Sequence, residues 1–309
     1  MKITKSVFAQ RLNEIKLSPI QVLSCDSSVA QAVEVLQKHR IGAIPLTKDE
    51  KIIGILTERD FIQKLNPMKG INDTTITLDG MMTKNPQVLS IFQSVEEALF
   101  LMVKREFRHI PLMDESGKPA TMISVKDVLE HFTKIFADEL KKIGMTDAKK
   151  TYVTNAHSEF FGEQSNERGK LEITHEILYM PLSKLFSPSF ITLDIAATME
   201  TAFEKMQMHK ASCVVITQFE TKVVGILTER DFLYKIYGHD VLGKNMSVRE
   251  FMTPNPHSLL ARQLIGHAIN NMFAYKYRHI IIVDDDGIPV SVIGLLDILK
   301  YFAFHALPQ

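Results

Sequence analysis

The sequence is poor in the residues that most often announce chemistry. Only two cysteines occur in 309 residues, Cys25 and Cys213, far apart and outside any CxxC context. A disulfide framework and a thiolate metal site are not expected, and both read as reduced core thiols of a cytoplasmic protein. Charge of neither sign predominates, since 36 Lys and Arg stand against 36 Asp and Glu. No bulk field therefore favours nucleic acid or an anionic membrane. Long apolar runs are missing: nothing approaches the roughly 18–20 residues of a membrane span, and MKITKSVFAQRL lacks a signal-peptide core. Paired carboxylates, GxSxG, HExxH and a P-loop are all absent, so an enzyme is not expected.

What the chain has is repetition. Gly54-Ile55-Leu56-Thr57-Glu58-Arg59-Asp60-Phe61 recurs letter for letter from Gly225 to Phe232. An identity of that length within one chain marks an internal duplication. Met82-Thr83-Lys84-Asn85-Pro86 answers to Met252-Thr253-Pro254-Asn255-Pro256, and Arg108-His109-Ile110 to Arg278-His279-Ile280. The offset is 171 at the octapeptide and 170 at the later pairs, so one residue has been gained or lost between them. Each half is itself double. Met122-Ile123-Ser124-Val125-Lys126-Asp127-Val128 and Val292-Ile293-Gly294-Leu295-Leu296-Asp297-Ile298 repeat the same design, the second with glycine in place of the hydroxyl. Four units too small to close a core alone must bury their sheets against one another.

The first unit predicts a short strand around Gln21 to Leu23 and a helix from Val29 through about His39, capped by Asp26-Ser27-Ser28. Strands follow near Ala43 to Leu46 and Ile52 to Leu56, joined by the turn Thr47 to Lys51, and a second helix starts at Thr57. Ser94 and Glu97 predict a capping box in the second unit, and Asp114 to Gly117 a turn matched by Asp284 to Gly287. The second unit's last helix keeps its period from Val128 to Gly144. A first pair over 1–144 (units about 8–66 and 78–144), a linker over 145–177 and a second pair over 178–309 (units about 178–240 and 246–309) are expected. Leu182 to Pro188 reads as a lead-in parallel to Met252 to Pro256, and His157 and Glu159 as part of a solvated linker without metal-site spacing.

Thr57-x-x-Asp60 is a variant capping box on one reading. On the other, strand-turn-helix places free N–H groups and a positive dipole end where a phosphate can sit. An aspartate there can accept the hydroxyls of a ribose. Arg59 and Arg230, inside the caps of the odd units, are not asked for by capping. Gly54 and Gly225 remove a side chain where a planar base could approach. Before the apolar triplet the odd units carry small residues, Gly42-Ala43 and Ser212-Cys213, and the even units a basic pair, Arg108-His109 and Arg278-His279. With odd and even units face to face, the small residues leave room while Arg and His reach toward phosphates. Ile41, Gly42, Ala211 and Ser212 are therefore candidate lining residues.

The combination of an apolar triplet, a turn, the G-h-h-T-x-x-D motif, a helix and M-T-x-N-P lead-ins resembles CBS domains over nearly all of the chain. The resemblance implies an α/β (α+β) fold of four β-α-β-β-α units paired into two Bateman modules that form a disk. It implies adenosine ligands, with the motif hydroxyl on phosphate or ribose and the motif aspartate on the ribose. Carried over, those roles fall on Thr57 and Asp60, Ser124 and Asp127, Thr228 and Asp231, and on Asp297 without a hydroxyl partner. The layout is also similar to the gamma subunit of AMP-activated protein kinase, whose second and fourth units carry a His/Arg pair that reaches phosphates. Here the order is Arg then His, and all four aspartates are present.

The expected function is a regulatory sensor of AMP, ADP or ATP, with magnesium only if ATP is bound, that transmits ligand state to a separate, unidentified partner protein. The alternatives are a ligand-independent assembly module and a sensor of another adenosine compound such as S-adenosylmethionine. Neither nucleic acid nor membrane is an expected partner. A linker of some two dozen residues is long enough for an intrachain disk, with a homodimer as the alternative.

Overall fold

The computed structural model describes residues 2–65, 76–145, 173–186, 190–237 and 246–306. Strand β1 (Lys2–Ile3) precedes the first unit, which comprises β2 (Leu23–Ser24), α1 (Val29–His39), β3 (Ala43–Lys48), β4 (Lys51–Thr57) and α2 (Glu58–Lys64), its sheet completed by β5 (Thr83–Lys84) from the lead-in of the second. The second comprises β6 (Leu89–Ser90), α3 (Val95–Arg105), β7 (His109–Met113), β8 (Pro119–Ser124), α4 (Val125–Ile135) and α5 (Ala137–Met145). Strand β9 (Ile173–Thr174) opens the second half. The third unit has β10 (Thr192–Asp194), α6 (Met199–Met208), β11 (Cys213–Gln218), β12 (Lys222–Thr228), α7 (Glu229–Lys235) and β13 (Thr253–Pro254). The fourth has β14 (Ser258–Leu260), α8 (Ile265–Tyr275), β15 (His279–Val283), β16 (Pro289–Gly294) and α9 (Leu295–Ala306).

In every unit the first strand pairs parallel to the second, which pairs antiparallel to the third. The odd sheets gain a fourth strand from the Met-Thr lead-in, β5 on β4 and β13 on β12. The caps are those the sequence asks for. Ser28 accepts from the Gln31 N–H at 3.1 Å, and the Ser94 N–H donates to Glu97 Oε2 at 2.8 Å. In the even hairpins Gly117 and Gly287 adopt φ of 76° and 82°, the left-handed region those turns require.

Units of one module meet through their sheets, and units of different modules meet through their helices. Val215, Ile226, Ile281, Val283 and Val292 form the sheet-to-sheet layer of the second module. One large core joins the first and third units, with Phe61, Phe203, Phe232 and Tyr237 among its members. A second joins the second and fourth, with Leu99, Phe132, Ile269 and Phe302. Both cores cross between the halves of the chain, so the two modules are sides of one folded body. Reciprocal hydrogen bonds mark the pseudo-two-fold relation. Gln37 Nε2 donates to Leu233 O (2.7 Å) and Tyr237 O (3.1 Å), and Gln207 Nε2 to Ile62 O (3.4 Å) and Gln63 O (3.1 Å).

Four expectations are corrected. The turn expected over Thr47 to Lys51 tightens to Asp49-Glu50, both at positive φ, because β3 and β4 stay paired out to Lys48 and Lys51. Its counterpart holds three residues between Gln218 and Lys222, which is where the offset of 170 becomes 171. The long helix breaks at Phe136, which leaves helical geometry at φ −98°, ψ 16° and still buries its ring. Leu182 to Leu185 is the counterpart of Leu12 to Glu14 and not of Met252. The Leu182 N–H donates to Gln263 O and the Ser183 N–H to Ala261 O, as Leu12 does to Gln93 O and Asn13 to Ile91 O. Each segment precedes an odd unit yet packs on an even one. Most of the expected linker, with His157 and Glu159, lies outside the described residues, whereas 173–177 form β9, paired antiparallel with β1, and the start of a 3₁₀ turn.

Candidate functional site

Each unit ends its third strand in a capped helix start, and the aspartate of the motif faces back onto that cap. In the first unit the Thr57 N–H and hydroxyl both donate to Asp60 Oδ2, at 2.9 and 2.6 Å. Thr228 does the same to Asp231 Oδ2 at 2.8 and 2.7 Å, and Ser124 to Asp127 Oδ2 at 2.8 and 2.6 Å. In the fourth unit only the Gly294 N–H reaches Asp297 Oδ2, at 2.7 Å. The capping-box reading is thus realised at the three motifs that carry a hydroxyl, and only its backbone half at Gly294.

The second carboxylate oxygen separates odd from even units. Asp60 Oδ1 pairs with Lys64 Nζ at 2.9 Å and Asp231 Oδ1 with Lys235 Nζ at 2.6 Å. Both aspartates are buried, and Lys64 is itself tied to Met81 O and Met82 O. Asp127 and Asp297 are only partly buried. Among the described residues their Oδ1 atoms make no hydrogen bond or ion pair, which leaves acceptor positions open. Burial pushes the Asp297 carboxyl above its ordinary range, against the Gly294 N–H that pulls it down.

The glycine expected to admit a base does something else. A Cβ on Gly54 would stand 2.1 Å from Met82 Sδ, and one on Gly225 2.2 Å from Met252 Sδ. The missing side chain admits the methionine of the lead-in strand that pairs there, so the base-approach role is withdrawn at both positions.

Around Asp297 the fourth and third units converge. Ser212 Oγ and His279 Nε2 are 2.8 Å apart. Burial first, then the Glu229 charge, pushes the neighbouring Cys213 thiol up to about 12, with Arg108 and Asp297 also within electrostatic reach. Ile41, Gly42 and Ala43 hold in the first unit the positions that Ala211, Ser212 and Cys213 hold in the third. Gly42 is where a side chain would crowd: a Cβ there would meet the Arg278 guanidinium at 3.0 Å.

The predicted basic residues do come together, around two carboxylates that sequence reasoning missed. Glu229 holds Arg59 Nε at 3.3 Å through Oε1 and Arg108 Nη1 at 2.9 Å through Oε2. Glu58 holds Arg230 Nε at 3.0 Å through Oε1, and Arg278 Nη1 through Oε2. All four ion pairs run between the two halves of the chain. Each glutamate is the first residue of its helix, where the dipole favours a negative charge. Arg59 and Arg230 owe their place to this exchange: each reaches the glutamate beside the other. The signal was present, since both copies carry Glu-Arg after the threonine while the even units carry Val125-Lys126 and Leu295-Leu296.

His109 and His279 complete the centre. Both residues are half-buried. Desolvation first, and then the charges of Arg278 and Arg108, push both down to about 3. Between pH 6.5 and 3 the unfolded chain therefore binds protons at these histidines that the folded chain does not. Stability falls as pH falls through that window, with a slope of up to about 1.4 kcal/mol per pH unit for each histidine. Urea midpoints measured from pH 7 down to 5 are expected to drop, and the His109→Gln/His279→Gln variant to flatten the curve. An unchanged slope in a folded variant would contradict the assignment.

Among the described residues no cluster of His, Cys, Asp and Glu has the arrangement of a metal site, and no helix is long and apolar enough to cross a membrane. Comparison with known proteins places this geometry. The chain is 25% identical over 291 residues to the CBS domain-containing protein CBSCBSPB5 of Arabidopsis thaliana, covering 93% of this chain and 52% of that protein. It spans about half the length of the curated relatives it matches first. Among solved structures it is similar to a protein of Methanocaldococcus jannaschii described as a candidate archaeal homologue of γ-AMPK, with a TM-score of 0.71 and 15% identity over 95% of this chain and all of that one. An uncharacterised conserved protein of Pyrococcus horikoshii follows with a TM-score of 0.56 and 14% identity over the same shares. The CBS-domain model matches four times, at residues 12–67, 78–134, 182–238 and 248–303, one match for each structural unit, and the chain belongs to the CBS-domain family.

Proposed function

We propose that the chain is a regulatory module that binds an adenosine nucleotide (AMP, ADP or ATP) and passes the ligand state to a separate protein. The observation that carries this reading is the open carboxylate oxygen of Asp127 and Asp297. Each stands at a strand-end, helix-start junction in a unit whose arginine and histidine point to the common centre. In an aspartate already fixed by its cap, a free oxygen is suited to accept ribose hydroxyls. Asp60 and Asp231, closed by Lys64 and Lys235, serve their helices first, so two nucleotides per chain are proposed at the even-unit motifs. Ser124 supports the carboxylate of one site, and Ser212, His279 and the neighbouring Arg108 line the other. Magnesium would accompany only a bound ATP. The module is a binder and not a catalyst on this reading, because its buried carboxylates are committed to arginines and lysines.

Isothermal titration with AMP, ADP and ATP tests the proposal, with saturation near two equivalents expected. No binding, or loss of binding on Lys64→Met/Lys235→Met alone, would overturn it.

Gly294 gives a second test. A Cβ there would lie 3.4 Å from Asp297 Oδ2 and 3.6 Å from Arg278 O and His279 Cδ2, which is ordinary contact, so a serine fits. Gly294→Ser is expected to supply the hydroxyl that Ser124 supplies in the second unit. A gain of about 1–3 kcal/mol, roughly 5- to 150-fold, is expected at that site alone. Unchanged affinity and stoichiometry would contradict it.

A further inference from the structure

The centre of the molecule gathers four guanidiniums around two buried carboxylates. The guanidiniums are those of Arg59, Arg108, Arg230 and Arg278, and the carboxylates those of Glu58 and Glu229. The carboxylate side chains are 5% exposed, whereas the guanidinium side chains are 33 to 41% exposed. Each ion pair uses one nitrogen of the arginine, and a guanidinium has five N–H donors, so donors remain on the exposed side. His109 and His279 add no charge at neutral pH, since both are held far below their ordinary range. Glu106, within electrostatic reach of Arg59 and Arg108, is paired with Lys300. Asp297 also lies within electrostatic reach of Arg108, so what the centre offers an anion is the set of exposed guanidinium donors that Glu58 and Glu229 leave unused.

We propose that Glu58 and Glu229 are specificity-determining residues that set how many phosphoryl groups the centre accepts. The inference rests on the adenosine-nucleotide reading above and adds to it a preference for the monophosphate. A phosphate monoester brings about 1.5–2 negative charges at neutral pH, which the exposed guanidinium donors and the partial charges of a helix start can meet. Every added phosphoryl group brings more negative charge toward a carboxylate that is buried, fixed by two arginines and unable to turn away. Because the carboxylates are shared between modules, the count is set jointly: each phosphate would meet an arginine held by the opposite half of the chain.

Affinities of the full chain for adenosine, AMP and ATP, measured without magnesium, test this. The unaltered protein is expected to bind AMP at least about tenfold tighter than ATP. In Glu58→Gln/Glu229→Gln, which keeps a carbonyl oxygen for the arginines, the preference should shift toward ATP by about tenfold or more while adenosine affinity holds. A variant that binds adenosine and AMP with an unchanged ATP-to-AMP ratio would overturn the role of the glutamates and leave the nucleotide reading standing. Failure of all three ligands to bind the unaltered protein would overturn both. If the double variant does not fold, the single variants and the ligand order of the unaltered chain decide: ATP binding as tightly as AMP would sink the proposal.

Discussion

Asp127→Asn/Asp297→Asn is expected to remove most adenosine-nucleotide binding and leave the protein folded. Asparagine keeps the side-chain oxygen that accepts from the Ser124 and Gly294 N–H groups, now made at 2.8 and 2.7 Å, so the caps survive. What is lost is a charged acceptor for the ribose. A hydrogen bond to a charged group is worth about 1.5–3 kcal/mol, so each site should weaken roughly 10- to 150-fold. The matched variant Asp60→Asn/Asp231→Asn should show the opposite balance. It breaks buried pairs with Lys64 and Lys235, so its thermal midpoint falls while affinity changes little. Titration calorimetry and a thermal melt on the two double variants separate these outcomes. Equal losses of affinity would return the ribose to all four aspartates.

Tyr237→Ala should be the most damaging single change to stability. The side chain is 1% exposed, and its one hydroxyl proton is shared between Phe61 O at 3.0 Å and Leu65 O at 2.9 Å across the boundary between modules. Its ring stands 5.5 Å from that of Phe61. Truncating a buried aromatic costs about 3–5 kcal/mol through lost transfer energy and the cavity left behind. Tyr237→Phe keeps the ring and loses the shared hydroxyl bond, while Phe61 O still accepts from the Leu65 N–H, for about 0.5–1.5 kcal/mol. Because both cores run through both modules, urea unfolding should remain one transition in each case, with the midpoint lowered in that order. Two separated transitions in the unaltered protein would contradict the shared cores.

Much of this architecture was legible because duplication writes the same physics twice. The octapeptide, the apolar triplets and the Ser28 and Ser94 caps depend on neighbours within a few residues, and local patterns report local structure. The central ion pairs were not legible for the opposite reason. Glu58 meets Arg278 and Arg230, and Glu229 meets Arg59 and Arg108, across separations that no local pattern encodes. The repeat displayed both glutamates, yet a charged residue at the start of a helix reads as an ordinary end-of-helix preference. Gly54 misled because an absent side chain states that room is needed without stating for what; Met82 of the lead-in strand fills it. The lead-in at Leu182 was misplaced because its partner, Leu12, shares hydrogen bonding with it more than sequence.

The central claim is that this chain carries adenosine nucleotides. Mass spectrometry of the small molecules released on denaturing the purified protein tests it most directly. The account predicts an adenine nucleotide, with AMP foremost, at up to two equivalents per chain. S-adenosylmethionine, a cyclic dinucleotide or no small molecule at all, from protein that also takes up no added AMP, would contradict it.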